Sequence, residues 1–182
     1  AVCLELASAG AKGLVVNYPG AAAEAEKTAA ELAELGVEAL PVKADVARED
    51  EVKAMVEQAA GHFGRIDVLV NNAGTTRFIP FTDLDAVTDE VWQSILGVNL
   101  MGPWYAARAA APHLRKSRGC IVNIASIAAL RASGSSLPYG VSSAAPAHSA
   151  RPPALGLAPA VRLTARHPRL VSPRAFARPR RG

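Results

Sequence analysis

The sequence predicts an α/β protein with three layers, in which helices cover both faces of a doubly wound, parallel β-sheet. Three observations predict this class. Short apolar runs alternate with helix-favouring segments, several of these segments end at a glycine where a helix C-cap belongs, and no internal repeat is visible. Strands that alternate with helices of this length need a parallel sheet that is buried on both faces.

The elements follow one another in a regular order. Apolar runs predict strands at residues 14–16, 37–44, 66–70 and 120–124. Helix-favouring segments predict helices at 2–9, 21–35, 48–63 and 91–114. Within the last of these helices, Gly102-Pro103 should cause a bend.

A Rossmann-like sheet normally begins with a strand and a glycine-rich turn that binds a pyrophosphate. This sequence begins at the helix that would follow such a turn, and it contains no G-x-G-x-x-G. We therefore expect an incomplete sheet whose first strand is missing. One edge of the strand at 14–16 or 66–70 should stand open where that strand would insert.

The composition limits the class of protein. Half of the 182 residues are apolar, which suits one domain with a real core, and no run of about 18 apolar residues predicts a membrane span. The sequence shows no secretory leader pattern. The two cysteines, Cys3 and Cys120, cannot form a disulfide framework or a metal cluster by themselves. We therefore expect a cytoplasmic protein with no metal site and no membrane partner.

The net charge of +4 averages two unlike parts of the chain. Residues 1–143 carry 12 Lys and Arg against 16 Asp and Glu, whereas 144–182 carry eight Arg, seven Pro and no acidic residue. This composition predicts a folded domain over 1–143 and a poorly ordered Arg/Ala/Pro-rich tail over 144–182. The acid-free composition of 144–182 suggests a GC-rich gene read with frame slips near codon 143 and again later. A basic arm for nucleic acid or acidic membrane is the alternative, disfavoured because only Phe176 could stack on bases.

Polar residues follow the predicted strands at the edge where open parallel sheets bind ligands. The strand ends carry Asn17, Asp45-Val46, Asn71-Asn72-Ala73-Gly74 and Ala125-Ser126. The long helix carries Asn99, and Tyr139 lies 13 residues beyond Ser126. Each residue alone would have an ordinary structural explanation, but the order and spacing of the whole set favour a functional one.

Together these motifs resemble the short-chain dehydrogenase/reductase family, and within it the 3-oxoacyl-carrier-protein reductase-like members. The matching runs are D-V at 45–46, N-N-A-G at 71–74, I-V-N-I-A-S at 121–126 and the serine-to-tyrosine gap of 13 residues. The resemblance is dense over 1–142. It implies that 1–143 is a partial dinucleotide-binding and catalytic reductase domain, and that intact relatives form homo-oligomers.

The resemblance also implies the chemistry, which is hydride transfer between a nicotinamide and a carbonyl or secondary alcohol. Tyr139 would be the general acid, Ser126 would bind the substrate oxygen, and Asn99 would hold a water in the proton relay. The implied cofactor-binding residues are Asn17, Asp45, Val46, Asn72, Ala73 and Gly74. Because Asn17 is neutral where an acid would select NAD, NADP is the favoured cofactor, with NAD as the alternative. The resemblance implies a 3-oxoacyl thioester as the substrate, with a sugar, steroid or other secondary alcohol as alternatives.

One position departs from the family pattern in a way that bears on activity. Free tyrosine has a pKa of about 10, so a catalytic tyrosine needs a nearby cation to work as a general acid at neutral pH. In the family this cation is a lysine four residues after the tyrosine. Position 143 is a serine. We therefore expect an inactive chain, and a non-catalytic reductase-like scaffold is the alternative function.

The tail keeps some family pattern beside its departures. Pro146, Pro152 and Pro153 should break the helix that the family has after its tyrosine. Residues 157–162 resemble the segment that enters the next strand, and 168–172 resemble the loop that follows it, with Arg169 in the place of a glycine.

Overall fold

The computed structural model describes residues 1–130, 134–149, 156–157 and 159–166. The helices are α1 (Val2–Ser8), α2 (Ala23–Glu34), α3 (Glu49–Phe63), α4 (Asp89–Leu96), α5 (Gly102–Ser117) and α6 (Leu137–Ser149). The strands are β1 (Gly13–Tyr18), β2 (Glu38–Lys43), β3 (Val68–Asn71), β4 (Cys120–Ile124) and β5 (Arg162–Arg166). Among the described residues, no helix combines the length and the apolar character that a membrane span requires.

The strands form two parallel sheets. β1 pairs with β2, and β3, β4 and β5 pair in that order, with every pairing parallel. A doubly wound sheet has the strand order 3-2-1-4-5-6. The order β2-β1 followed by β3-β4-β5 fits this pattern with the place of the first strand empty in the described part of the chain. The predicted α/β class and the predicted open edge at β1 and β3 are confirmed.

The main hydrophobic core lies between the three-stranded sheet and α5. The strand register aligns Leu69, Ile121 and Leu163 on one face of the sheet. Leu114 of α5 and Ile121 are fully buried there, and Val56 brings α3 into the same cluster. Burial of such a side chain contributes about 1.5–3 kcal/mol. A second cluster around Leu32 packs α1 and α2 against the two-stranded sheet.

Local sequence explains where α3 begins and ends. Three acidic residues, Glu49, Asp50 and Glu51, occupy its first turn, where they interact favourably with the positive end of the helix dipole. Gly64 ends the helix with a φ of 73°, a left-handed conformation that glycine adopts without steric cost.

The predicted helix at 91–114 is in fact two α-helices joined by a π-helical turn. This turn covers Gly97–Met101, and the N–H of Gly102 donates to the carbonyl of Gly97. The interruption therefore precedes Gly102-Pro103, where the sequence placed the bend. Since Pro103 has no N–H, an α-helical bond to the carbonyl of Asn99 is impossible, which is consistent with a wider turn at this point.

The prediction that Pro146 would break the helix is wrong, because α6 runs from Leu137 to Ser149. A proline inside a helix costs about 3 kcal/mol, but tertiary packing can exceed that cost. α6 packs against α4 and against a 3-10 turn at Ile127–Ala129, and it buries Ser142 and Ser143.

Part of the predicted tail lies in the sheet. The segment at 157–162 was expected to enter a strand, and β5 begins at Arg162 and pairs along the whole of β4. The division at residue 143 stays a prediction. The predictions on Pro152, Pro153 and 168–172 concern residues outside the described part of the chain.

Candidate active site

The N-N-A-G run at 71–74 begins in the sheet and continues into an exposed loop. Asn71 ends β3 in register with Asn123, and its Nδ2 donates to the Oδ1 of Asn123 at 2.8 Å. Asn72, Ala73 and Gly74 follow and are exposed. The first asparagine therefore ties two strands together, while the next three residues are accessible to a ligand at the carboxyl ends of the strands.

Asn99 lies in the π-helical turn and joins three segments through its side chain. Its Oδ1 accepts from the N–H of Thr75 at 2.8 Å, and its Nδ2 donates to the carbonyl of Thr75 at 2.9 Å. The same Nδ2 also donates to the Oγ of Ser142 at 2.9 Å. We call this set of three hydrogen bonds the Asn99 clamp. It links the loop after β3, the π-helical turn and α6.

Ser126 caps the 3-10 turn that follows β4. Its backbone is extended, and its Oγ accepts from the N–H of Ala128 at 3.2 Å. A hydroxyl that is bonded in this way keeps its own hydrogen to donate elsewhere.

Tyr139 lies in the first turn of α6, which packs on this 3-10 turn. Gly134 lies between the two elements, since a Cβ at this position would be 3.3 Å from the Cβ of Ala128 and 3.4 Å from the Tyr139 ring. Ser126 and Tyr139 are thus carried by neighbouring elements. The convergence of their hydroxyl groups stays a prediction.

Ser143 occupies the position at which the family has a lysine. It is 6% exposed, and its Oγ donates to the carbonyl of Tyr139 at 2.8 Å, one helical turn back. Ser142 donates to the same carbonyl at 3.0 Å. The side chain at 143 is therefore a small hydroxyl bonded within its own helix, and it brings no charge to Tyr139.

The sequence model of the family described as short chain dehydrogenase matches residues 1–180 of this chain. The chain belongs to this family. The match confirms the resemblance inferred from the motifs.

Two curated relatives and one solved structure show where in the family the chain lies. Ketoacyl reductase 2 of the granaticin polyketide synthase from Streptomyces violaceoruber is 47% identical over 159 residues, which are 87% of this chain and 62% of the relative. The 3-oxoacyl-[acyl-carrier-protein] reductase FabG of Staphylococcus aureus is 37% identical over 127 residues, 69% of this chain and 50% of the relative. A short-chain dehydrogenase/reductase structure from Burkholderia xenovorans has a TM-score of 0.83 and 32% identity, and the match covers 90% of this chain and 68% of that one. The chain thus spans between half and two thirds of the length of these curated relatives.

In this short-chain dehydrogenase, the loop after β2 is held by its own hydrogen bonds. The Oδ1 of Asp45 accepts from the N–H of Ala47 at 2.9 Å, and the N–H of Asp45 donates to Oε2 of Glu51 at 2.8 Å. Arg48 donates to Asp50, and this hydrogen bond holds the pKa of the Asp50 carboxyl below its ordinary value. Asp45 and Val46 are therefore fixed at the start of α3, near the end of β2.

Asn17 uses its amide inside the sheet. Its Nδ2 donates to the carbonyl of Ala44 at 2.9 Å and to that of Val42 at 3.3 Å. The N–H groups of the Asn17 side chain therefore bind main-chain carbonyls at the end of β2. Its role in cofactor selection stays a prediction.

A cavity of about 410 Å³ is lined by residues of β3, β4 and β5, of the π-helical turn, and of α5 and α6. Its lining is Asn71, Leu100, Met101, Pro103, Trp104, Ala107, Ile121, Asn123, Ala145 and Leu163. Ser126, Tyr139 and Asn99 do not line it.

Sequence reasoning missed several residues that organise the site. Thr76 and Ser135 share a hydrogen bond between their hydroxyl groups, and the N–H of Ile79 donates to the carbonyl of Ser135 at 2.8 Å. The Ser136 hydroxyl is fully buried and has no protein partner among the described residues. These residues are far apart along the chain and match no motif, so only the folded structure could reveal them.

Proposed function

We propose that this chain carries the site of an NAD(P)-dependent oxidoreductase, which transfers a hydride between a nicotinamide and a carbonyl or secondary alcohol. The Asn99 clamp is the observation that carries the proposal. It fixes the loop after β3 against α6, so that the exposed run at 72–74 and the helix of Tyr139 are held together at the carboxyl ends of the strands.

The proposed roles follow from the chemistry of each group. Tyr139 gives its phenolic proton to the substrate oxygen as the carbonyl is reduced, and Ser126 donates a hydrogen bond to the same oxygen. Asn99 holds a water that resupplies the proton. Both N–H bonds of the Asn99 Nδ2 are already used, in hydrogen bonds to Thr75 and Ser142. The water must therefore bind the second lone pair of Oδ1 or the main-chain carbonyl of Asn99. In an α-helix this carbonyl would accept from the N–H of residue 103, which Pro103 lacks.

The described residues fit part of a dinucleotide. Asp45 and Val46 would hold the adenine side, and the exposed backbone at 72–74 would lie along the nicotinamide side. A Cβ at Gly74 would approach only Asn99 Oδ1 at 3.7 Å, so the backbone there is open to close contact. A bound NAD(P)H would supply the hydride for carbonyl reduction and leave as NAD(P)⁺. NADP is the proposed form because Asn17 is neutral, and NAD is the alternative.

Among the described residues we assign no comparable partner to the pyrophosphate part of the dinucleotide. The family binds it with a glycine-rich turn, and this sequence has no G-x-G-x-x-G. We therefore expect weak cofactor binding by the chain as given. Since the chain spans only part of its relatives, the 3-oxoacyl thioester is the proposed substrate class, supported by the names of the two curated relatives.

Ser143 supports the second candidate, a reductase-like scaffold without turnover. Its hydroxyl is buried and bonded to the Tyr139 carbonyl, so no ammonium lies four residues after the tyrosine. Without that cation the Tyr139 phenol donates its proton unaided. Loss of one well-placed catalytic group costs about 10²–10⁴-fold in rate.

The test is NADPH consumption with a short 3-oxoacyl thioester, followed by absorbance, for three proteins. The chain as given and its Ser143→Lys variant should show no appreciable turnover. A chain that carries a front strand with a glycine-rich turn, the Ser143→Lys change and an in-frame family tail should be active. Turnover by the unaltered chain would contradict our account of Ser143 and of the glycine-rich turn, and an inactive restored chain would contradict the oxidoreductase itself.

A parallel titration with NADPH separates the two candidate functions. The scaffold predicts saturable NADPH binding without turnover by the unaltered chain. If DNA resequencing returned a lysine codon at 143, the enzyme would be favoured over the scaffold.

A further inference from the structure

The β2–α3 loop, residues 44–48, joins the end of β2 to the start of α3 and contains the residues proposed for the adenine side. Its first residue is held by the two-stranded sheet. The N–H of Ala44 donates to the carbonyl of Tyr18 at 3.0 Å, and the carbonyl of Ala44 accepts from the side chain of Asn17 at 2.9 Å. The loop therefore starts from a fixed position.

The same loop packs closely on both ends of the π-helical turn that carries Asn99. A Cβ at Gly102 would lie 3.1 Å from Cγ2 of Val46 and 3.2 Å from its carbonyl oxygen. A Cβ at Gly97 would lie 3.4 Å from the Cβ of Ala47. Because positions 97 and 102 carry no side chain, the main chain of the turn can support the loop directly.

Glu51 holds the loop from the first turn of α3. Arg48 is the N-cap of this helix, so Glu51 is its third residue. In a capping box the side chain of the third residue accepts from the N–H of the N-cap. Here the N–H of Arg48 donates to the carbonyl of Asp45 at 3.0 Å, and Oε2 of Glu51 accepts from the N–H of Asp45 at 2.8 Å. Glu51 thus reaches back six residues into the loop.

The second oxygen of the Glu51 carboxylate is held by a cation. Its Oε1 lies 2.7 Å from Nε of Arg48, and a terminal nitrogen of Arg48 donates to Asp50 at 3.1 Å. The side chains of Arg48 and Glu51 are 59% and 39% exposed, and an ion pair at such exposure adds little to stability. Its effect here is to orient the carboxylate that binds the N–H of Asp45.

The bonds of the loop leave an acceptor and a donor on adjacent residues. Both main-chain groups of Asp45 are bonded, and its Oδ1 accepts from the N–H of Ala47. No hydrogen bond among the described residues uses Oδ2 of Asp45 or the N–H of Val46. An acceptor next to a donor complements the amino group and the ring nitrogen on the Watson–Crick edge of adenine. The backbone conformation of Asp45 decides where both groups point.

We propose that Glu51 is a positioning residue for adenine binding, because its carboxylate holds the backbone of Asp45 in the conformation that the adenine ring meets. The inference rests on the proposed function, which assigns the adenine side of the dinucleotide to Asp45 and Val46. Glu51 acts through Asp45 and does not itself touch the nucleotide. Without this carboxylate, the loop must be ordered when the nucleotide binds, and the affinity falls accordingly.

The test is a titration of the full chain with AMP, which carries the adenosine half of the dinucleotide and no nicotinamide. Amide chemical shifts in NMR spectra of isotope-labelled protein report binding, and AMP should shift the signals of residues 45–47. Glu51→Ala should raise the Kd for AMP about tenfold, because a charge-assisted hydrogen bond to the loop is lost. Glu51→Ser should have the same effect, since its hydroxyl lies two bonds closer to the main chain. Glu51→Gln keeps an oxygen that can accept from Asp45, and its Kd should stay within about twofold of the parent.

Two controls separate positioning from a general loss of structure. Asp50→Ala removes another acidic residue of the same helix turn that also binds Arg48, but no bond to Asp45. Its Kd for AMP should stay within about twofold of the parent. Nicotinamide mononucleotide is the other half of the dinucleotide, and the response to it should be the same in the parent and in Glu51→Ala.

The pattern across the variants decides the outcome. Weaker AMP binding by Glu51→Ala and Glu51→Ser, with near-parent binding by Glu51→Gln and Asp50→Ala, supports the proposal. An unchanged Kd in Glu51→Ala, or an equal loss in Asp50→Ala, would overturn it. Unshifted signals at 45–47 in the parent would also overturn it, because the loop would not bind adenine. A failure of the oxidoreductase is seen separately, as an inactive restored chain, since the AMP titration needs no turnover.

Discussion

Replacing Asn99 with alanine tests whether the Asn99 clamp holds the site together. The change removes three hydrogen bonds, two to Thr75 and one to Ser142. Each contributes about 0.5–1.5 kcal/mol net, and the loss is larger where a buried partner is left unsatisfied, as for the fully buried Ser142. We expect the free energy of unfolding to fall by about 2–4 kcal/mol. Urea unfolding, followed by the fluorescence of Trp92 and Trp104, measures it.

Ser142→Ala is the matched control. It removes only one of the three bonds of the clamp, together with the bond that Ser142 donates to the Tyr139 carbonyl, and should cost about 1–3 kcal/mol. In the double variant the shared bond is lost only once, so the total should fall short of the sum of the two single losses by about 0.5–1.5 kcal/mol.

Asn99→Asp adds a test that depends on pH. The carboxylate can still accept from the N–H of Thr75, but its second oxygen faces the Thr75 carbonyl and the Ser142 hydroxyl, whose hydrogen goes to Tyr139. We therefore expect the pKa of the new carboxyl to lie above its unfolded value of about 3.9. Relative to the parent, Asn99→Asp should lose the most unfolding free energy at pH values above the pKa of this carboxyl in the folded state. The loss should become smaller as the pH falls through that pKa.

Two results would refute the clamp. One is an Asn99→Ala variant whose unfolding free energy lies within about 0.5 kcal/mol of the parent. The other is a double variant with strictly additive losses, since additivity would mean that Asn99 and Ser142 do not interact.

Three further variants, or matched pairs of variants, test other parts of the molecule. Leu114→Ala empties a fully buried core position and should cost about 2–5 kcal/mol in urea unfolding, whereas Leu84→Ala, at a position 67% exposed, should change stability by less than about 0.5 kcal/mol. Gly61→Ala, in open space within α3, should raise the thermal midpoint, whereas Gly64→Ala should lower it because its φ is 73°. Ser143→Lys places a long charged side chain where the serine is 6% exposed and should cost about 1–3 kcal/mol by the same urea assay.

The sequence predicted the strands more fully than it predicted the contacts of the site. β4 lies where the apolar run at 120–124 placed it, and β1, β2 and β3 each overlap their predicted ranges. This agreement has a physical cause, because these runs are short, rich in β-branched residues and bounded by turn residues, a combination that favours a strand over a helix. The Asn99 clamp had no such signal. Thr75 and Ser142 lie 24 and 43 positions away, so their approach depends on the packing of α4, α5 and α6.

The errors at the helices share one cause. Pro146 was expected to end α6, and Gly102-Pro103 was expected to bend a single long helix. Local propensity describes the cost of proline in an isolated helix, but the helices here are also held by neighbours. α6 continues because its inner face is packed, and the interruption between α4 and α5 forms as a π-helical turn that carries Asn99. A turn of this kind often occurs at functional sites.

The two departures from the family pattern act on different steps, and this difference predicts how repair would behave. In the proposed oxidoreductase a glycine-rich turn would hold the pyrophosphate, so we expect residues 1–182 alone, which contain no G-x-G-x-x-G, to bind the cofactor weakly. In the proposed mechanism, position 143 supplies no cation to Tyr139, so we expect slower proton transfer even when a cofactor is bound. Effects on separate steps add as free energies, and their consequences for the rate therefore multiply. Ser143→Lys alone would not restore cofactor binding, so this variant should still show no appreciable turnover.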